Sequence, residues 1–240
     1  MRLSYTLGRS LYLPLTSHCS TSLTLPETRG PNFLLPSDVV ASLCRVRDAE
    51  RGEARWKHWC LWLDMQEGGQ LLPARVTEPA VEATGRPTVE ELLQEVASHN
   101  EPYDAIVIAG EGEPTLRLDA LYELMERRLV VGEPQQHTVR LTTNGLVTDP
   151  TVPQALKDRG LTSVSVGLHT NDPDLYQQLL QPTVPDAHAT VCRFVERSIQ
   201  AGLEVECTAV DRPEVDRAAT EALAAQLTHH HPLRWRTYFP

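Results

Sequence analysis

The sequence predicts an α/β domain built around a mostly parallel sheet. Short apolar strands alternate with amphipathic helices along nearly the whole chain, which is the pattern of βαβ units. Tyr103–Ala109 is a short, continuous apolar run, as in strands of buried parallel sheets. Polar and glycine-rich turns follow the strands, and in such folds ligands bind at the C-terminal strand ends.

The elements follow in order. Ser10–Thr16 is an apolar strand with Pro14 near its end, and Ser37–Val46 is a helix with Ser37 as N-cap. Residues from about 45 to 87 mix charges, tryptophans (Trp56, Trp59, Trp62), glycines and prolines, and they read as an irregular extension of a single domain covering residues 1–240. Thr88–His99 is the clearest helix. Thr88 and Glu91 stand at capping-box spacing, and Val89, Leu92, Leu93 and Val96 form one apolar stripe. Tyr103–Ala109 is a strand, Asp119–Leu129 a helix, His137–Thr142 a strand, and Val152–Arg159 a helix stopped by Gly160. Ser163–Leu168 is a strand, followed by helices at Asp172–Leu180 and Asp186–Ala201. Glu204–Val210 is a strand, Glu214–Thr228 an alanine-rich helix, and Leu233–Phe239 the last strand. Six strand–helix repeats are too few for an eight-unit barrel; they fit a partial (β/α)6 barrel or an open doubly wound sheet.

Composition narrows the function classes. The chain has 240 residues, 41% of them hydrophobic and 22% charged, with a formal net charge of -10. A surface of that sign repels phosphate backbones, so no nucleic-acid partner is expected. The loose basic group Arg45, Arg47, Arg51, Arg55 and Lys57 reads as a solvated helix face and loop. No run reaches the ~18 apolar residues of a membrane span, and no signal-peptide pattern is present. The five cysteines are scattered without a CxxC, which suits free thiols in a reducing, cytoplasmic setting. No P-loop, GxGxxG, HExxH or GxSxG is present. His229, His230 and His231 are adjacent and cannot all aim at one ion; they suit a helix C-terminus.

Chemistry-bearing residues gather after the strands. His18-Cys19-Ser20 and then Arg29-Gly30-Pro31-Asn32-Phe33 follow the first. Gly110-Glu111-Gly112-Glu113-Pro114 follows the second, Thr143-Asn144-Gly145 the third, and His169-Thr170-Asn171 the fourth. Glu113, a strand-end carboxylate, suits an ammonium group, or else caps the next helix. Asn144 serves a ligand or forms an Asx turn before Gly145. Arg29 and Asn32, stiffened by Pro26 and Pro31, form a candidate anion-holding loop.

The order of these turns resembles the radical S-adenosylmethionine (radical SAM) superfamily. Gly112-Glu113-Pro114 looks like its GGEP turn with Glu111 at the first glycine. Thr143-Asn144-Gly145 looks like its third-strand turn, and Ser163–Leu168 like its fourth strand. The stretches RSLYLPLT, TRGPNF, GEGEPTLRL and TTNGL look closest to the group associated with TatD-type deoxyribonucleases. The resemblance implies a partial (β/α)6 TIM-like barrel. It implies S-adenosylmethionine as a small-molecule cofactor, held around Gly112, Glu113, Pro114 and Asn144, with Ser165 and His169 near the ribose. It also implies a [4Fe–4S] cluster on a CxxxCxxC loop. Here Cys19 fills the first position, while Leu23 and Pro26 fall on the others. The resemblance therefore points to a member that has lost its cluster but retains cofactor binding. The alternatives are an active enzyme recruiting Cys44 or Cys60, and a non-catalytic module whose protein partner meets the Trp56–Leu63 surface.

Overall fold

A computed structural model describes residues 3–24, 27–51, 87–130 and 138–240, and all statements below concern these. The Trp56–Leu63 surface, Cys60, Pro26 and most of the 45–87 extension lie outside them.

The chain opens with a hairpin. Strands β1 (Tyr5–Leu7) and β2 (Ser10–Leu13) pair antiparallel across a two-residue turn. Gly8 sits there at φ +60°, at the turn's first position, where a II′ turn favours glycine. The helix α1 (Ser37–Arg51) follows, then α2 (Val89–Ala97) and β3 (Ala105–Ile108). A 3-10 turn (Pro114–Arg117) leads into α3 (Leu118–Val130). The rest alternates: β4 (Thr138–Thr143), α4 (Val152–Asp158), β5 (Ser163–Gly167), α5 (Pro173–Leu180), α6 (Ala187–Gln200), β6 (Glu204–Val210), α7 (Arg217–Leu227) and β7 (Arg234–Arg236).

The seven strands form one sheet in sequential order, with β2 to β7 parallel. That order decides between the two architectures the sequence left open. A doubly wound sheet reverses its strand order at a switch point. An unreversed order with right-handed crossovers keeps the helices on one face and gives a partial barrel. The hairpin strand β1 is an addition to the six expected strands. Its three residues are too few to show an alternation.

The two faces of the sheet differ chemically. Val139 and Leu141 of β4, Val164 and Val166 of β5, and Val205 and Cys207 of β6 are buried in the core shared with the helices. Phe194 of α6 and Leu121 of α3 belong to the same core. The alternating positions carry Arg140, Ser165, Glu206 and Arg234, which meet one another through polar contacts on the concave face. Helix caps match the sequence signals. Thr88 and Glu91 form the full capping box of α2, and Asp172 and Asp216 cap α5 and α7. His229 and His230 follow α7 in left-handed conformation. Among the described residues no helix is long and apolar enough to cross a membrane.

Candidate functional site

A cleft opens at the C-terminal ends of the strands. Its walls are the β3 turn from Gly110 to Glu113, the β4 end from Thr142 to Asn144, Gly167 at the end of β5 and His169 after it, and Cys19, Thr21 and Leu23 of the loop after β2. It is open to solvent and lined by both polar and apolar side chains. The sequence-marked residues Cys19, Gly112, Glu113, Asn144 and His169 thus come together.

Glu113 ties two strand ends. Its buried carboxylate accepts from the Thr115 N–H at 2.9 Å, the Thr115 hydroxyl at 2.7 Å and the Thr143 hydroxyl at 2.7 Å. The other oxygen accepts from the Asn144 N–H at 2.6 Å. The carboxylate is therefore also the cap of the 3-10 turn, as the alternative sequence reading had it. Burial pushes its pKa up, and the hydrogen bonds from Asn144, Thr115 and Thr143 pull in the opposite direction. Pro114 starts the turn and is buried behind the cleft wall.

Gly112 permits a close approach, but to the chain itself. A Cβ there would lie 2.4 Å from the His18 carbonyl and 2.5 Å from that of Thr16. The backbone meets this segment through the Gly112 N–H to Thr16 O (3.2 Å) and the Glu113 N–H to His18 O (2.7 Å). Gly112 therefore lines the cleft and also seats the Cys19 loop on the β3 turn.

Asn144 forms the Asx turn that was one of its two expected roles. Its Oδ1 accepts from the Leu146 N–H at 3.0 Å, an Asx turn. Its Nδ2 donates to Ser20 Oγ at 3.0 Å and lies 3.7 Å from Cys19 Sγ. Cys19 Sγ also sits 3.0 Å from Thr21 Oγ1. Burial and the Glu113 charge raise the thiol's pKa, against the opposing hydrogen bonds of Thr21 and Asn144. The fully buried Tyr176 hydroxyl is close enough to feel the charges of Cys19 and Glu113, and it has no hydrogen-bond partner among the described residues.

His169 is buried at φ +64°, with Nε2 2.6 Å from where a Gly167 Cβ would stand. Burial, and then the charges of Arg236 and Arg212, push its pKa down to about 3. Ser165 is not part of the cleft wall. It donates to Glu206 Oε2 at 3.0 Å, deeper on the concave face. Arg29 and Asn32 also stand apart from the wall. Arg29 Nε donates to Thr237 O at 2.7 Å and its guanidinium lies 4.4 Å from the Phe33 ring centre and 5.4 Å from that of Phe239. Asn32 Nδ2 donates to Pro240 O. This segment, expected as an anion loop, makes its observed contacts with residues 237–240.

The described residues do not bring three thiolates together at the cleft. Among the described residues Cys19 is the only thiol on the cleft wall, Leu23 lines it at the second motif position, and Cys44 lies on α1. No group of three His, Cys, Asp or Glu side chains able to hold a metal ion occurs among them. Three residues not assigned a role of their own from the sequence help to build the site, Thr143 among them although its turn was marked. Thr115 and Thr143 hold Glu113, and Glu206 organises the concave face. Threonines carry no spacing signal, and a strand glutamate reads as solvated.

Comparison with known proteins completes the picture. The model of the Radical SAM superfamily matches residues 74–213. The chain is 38% identical over 99 residues to a probable GTP 3',8-cyclase of Methanococcus aeolicus, covering 41% of this chain and 31% of that protein. A probable GTP 3',8-cyclase of Sulfurisphaera tokodaii is 38% identical over 92 residues, 38% of this chain and 27% of that one. The chain thus spans about a third of these relatives or less. Among solved structures, native anSMEcpe with bound AdoMet superposes with a TM-score of 0.54 at 17% identity, over 66% of this chain and 45% of that one. HydG, a maturase of the [FeFe]-hydrogenase, superposes with a TM-score of 0.54 at 14% identity, over 96% of this chain and 42% of that one. These structural likenesses speak for the partial-barrel fold.

Proposed function

This chain belongs to the radical SAM superfamily, and on that premise we propose that it binds S-adenosylmethionine in the cleft without assembling a cluster on the usual three-cysteine loop. The observation that carries this reading is the cleft wall itself, where, among the described residues, Leu23 stands beside a single thiol, Cys19. Iron–sulfur clusters select thiolates, and neither leucine nor the neighbouring hydroxyls replace them. The turn that resembles the cofactor's ammonium site is kept, and Glu111 adds a carboxylate to that wall.

The chain's own residues would bind and orient the cofactor. Glu113 fixes the β3 and β4 ends, so the acceptors at the mouth keep their spacing when the cofactor arrives. Asn144 holds the Cys19 loop through Ser20, and neutral His169 offers an uncharged surface near the strand ends. Ser165, expected near the ribose, serves the concave face below. The closer kinship with the TatD-associated group rests on the sequence stretches quoted for it. In this reading the protein is a degenerate, non-catalytic member, and a protein partner for it is part of the proposal.

A second reading is an active enzyme with cluster ligands from elsewhere, such as Cys44 or Cys60. The curated relatives named as probable GTP 3',8-cyclases favour it. Anaerobic purification with iron and sulfide reconstitution separates the two. The expected result is a protein without a stoichiometric cluster that S-adenosylmethionine still stabilises in the absence of iron. A full cluster per chain, lost in Cys19→Ala, would establish the enzyme reading instead.

A further inference from the structure

The concave face between β4 and β7 is cationic in a chain of formal net charge -10. Arg140 of β4 and Arg234 of β7 share one carboxylate oxygen, Glu206 Oε2, at 3.3 and 2.9 Å. Ser165 donates to the same oxygen at 3.0 Å. Arg236 lies two residues beyond Arg234 in β7, so the two side chains share a face of the sheet.

Each neighbouring arginine has a partner. Arg29 has the Thr237 carbonyl and the Phe33 and Phe239 rings. Arg212 has Glu214 at 2.7 Å and the Tyr238 ring. Arg140 and Arg234 have Glu206. Arg236 is half-buried and, among the described residues, has neither an ion pair nor an aromatic ring. The charges that act on it most strongly are cationic. Burial first, then Arg234 and Arg29, push its pKa down to about 10, with Glu206 and Tyr12 opposing. An arginine keeps its charge under such pressure, whereas a lysine would shed its proton more readily. The guanidiniums of Arg140 and Arg234 thus meet one carboxylate, Arg236 shares their face beside Arg234, and its charge reaches His169 on the wall of the cleft.

We propose that Arg236, flanked by Arg234, receives an anionic oxygen group, a phosphate or a carboxylate, on the small molecule that enters the barrel. A planar guanidinium presents paired N–H donors that match either group. This rests on the reading of the cleft as a small-molecule site, and it gives that molecule a negative end directed toward β7.

Inorganic pyrophosphate is the probe, titrated at low ionic strength into the full chain while thermal unfolding is followed. Wild type and Arg9→Gln, which removes a surface arginine paired with Asp104, are both expected to be stabilised. Arg236→Gln is expected to lower the apparent affinity by about tenfold or more, and Arg236→Lys to restore part of it. Without ligand, Arg236→Gln is expected to melt at or above the wild-type temperature, because it removes repulsion among cations; this also reports that it folds. Equal stabilisation of Arg236→Gln and wild type, or none of wild type, overturns the proposal.

S-adenosylmethionine and 5′-methylthioadenosine, which lacks the amino-acid carboxylate, identify the source of the group. A loss in Arg236→Gln confined to S-adenosylmethionine places the anion on the cofactor. Unchanged responses to both, with the pyrophosphate response lost, place it on a second molecule. Pyrophosphate binding with no response to either nucleoside leaves the anion site standing and removes the cofactor reading. The reverse pattern removes the anion site alone.

Discussion

Glu113, Asn144 and Cys19 were singled out because each follows a strand, and the structure brings them within one hydrogen-bonded group. Which partner each side chain takes was not legible. Glu113 is held by two threonines, one of them thirty residues away in sequence, and nothing local marks a threonine for that task. His169 belongs to the same scale. Its position after β5 was visible, but its left-handed backbone and complete burial arise only where β5, α5 and the β6 end close around it. Its folded pKa of about 3 lies below the ordinary value of 6.5. The unfolded chain therefore binds more protons between those values. The stabilisation from keeping this imidazole neutral is complete above the unfolded pKa and is lost as pH falls toward 3. His169→Asn, which tolerates left-handed backbone, is expected to flatten the acid side of the melting-temperature profile between pH 6.5 and 3. An unchanged slope would show that other groups dominate that limb.

At the scale of elements, hydrophobic period and capping chemistry located the helices well. The capping box of α2 and the glycine stops after α4 and α6 are local chemistry, so the sequence displays them directly. Strand ends were longer in expectation than in fact: Ser10–Thr16 shortens to Ser10–Leu13. The apolar residues past Leu13 are buried but belong to the loop that crosses the β3 turn. Gly112 shows why that loop cannot move. The carbonyls facing it are backbone atoms held by hydrogen bonds, so neither yields cheaply. Gly112→Ala is expected to destabilise the domain by about 3 kcal/mol and to weaken cofactor binding by displacing Cys19. Urea unfolding checks the first effect and ligand titration the second. Wild-type stability in this variant would mean that the loop is free to reseat.

At the scale of the molecule, the 28–33 loop closes on residues 237–240. Arg29 N–H and C=O groups, the Phe33 and Phe239 rings and Asn32 all join across more than two hundred residues of sequence. Arg29→Ala is expected to cost about 1–2 kcal/mol, from one charge-assisted hydrogen bond and the contacts with the rings. It should leave the thermal shift produced by S-adenosylmethionine unchanged. A shift that disappears with Arg29 would return this loop to the binding site.

The sequence by itself determined the α/β class, the order of the parallel strands' units and the turns that carry the family's pattern, because periodicity, caps and motif order are properties of neighbouring residues. It also determined that the cysteine loop holds leucine at the second ligand position. Only the tertiary structure decided that the sheet is singly wound, that Gly112 serves the chain's own loop, and that Arg29 is a clamp. The convergence of Arg140 and Arg234 on a single Glu206, with Arg236 on the same face, belongs there too. Strand register and curvature set those distances, and a one-dimensional pattern does not contain them.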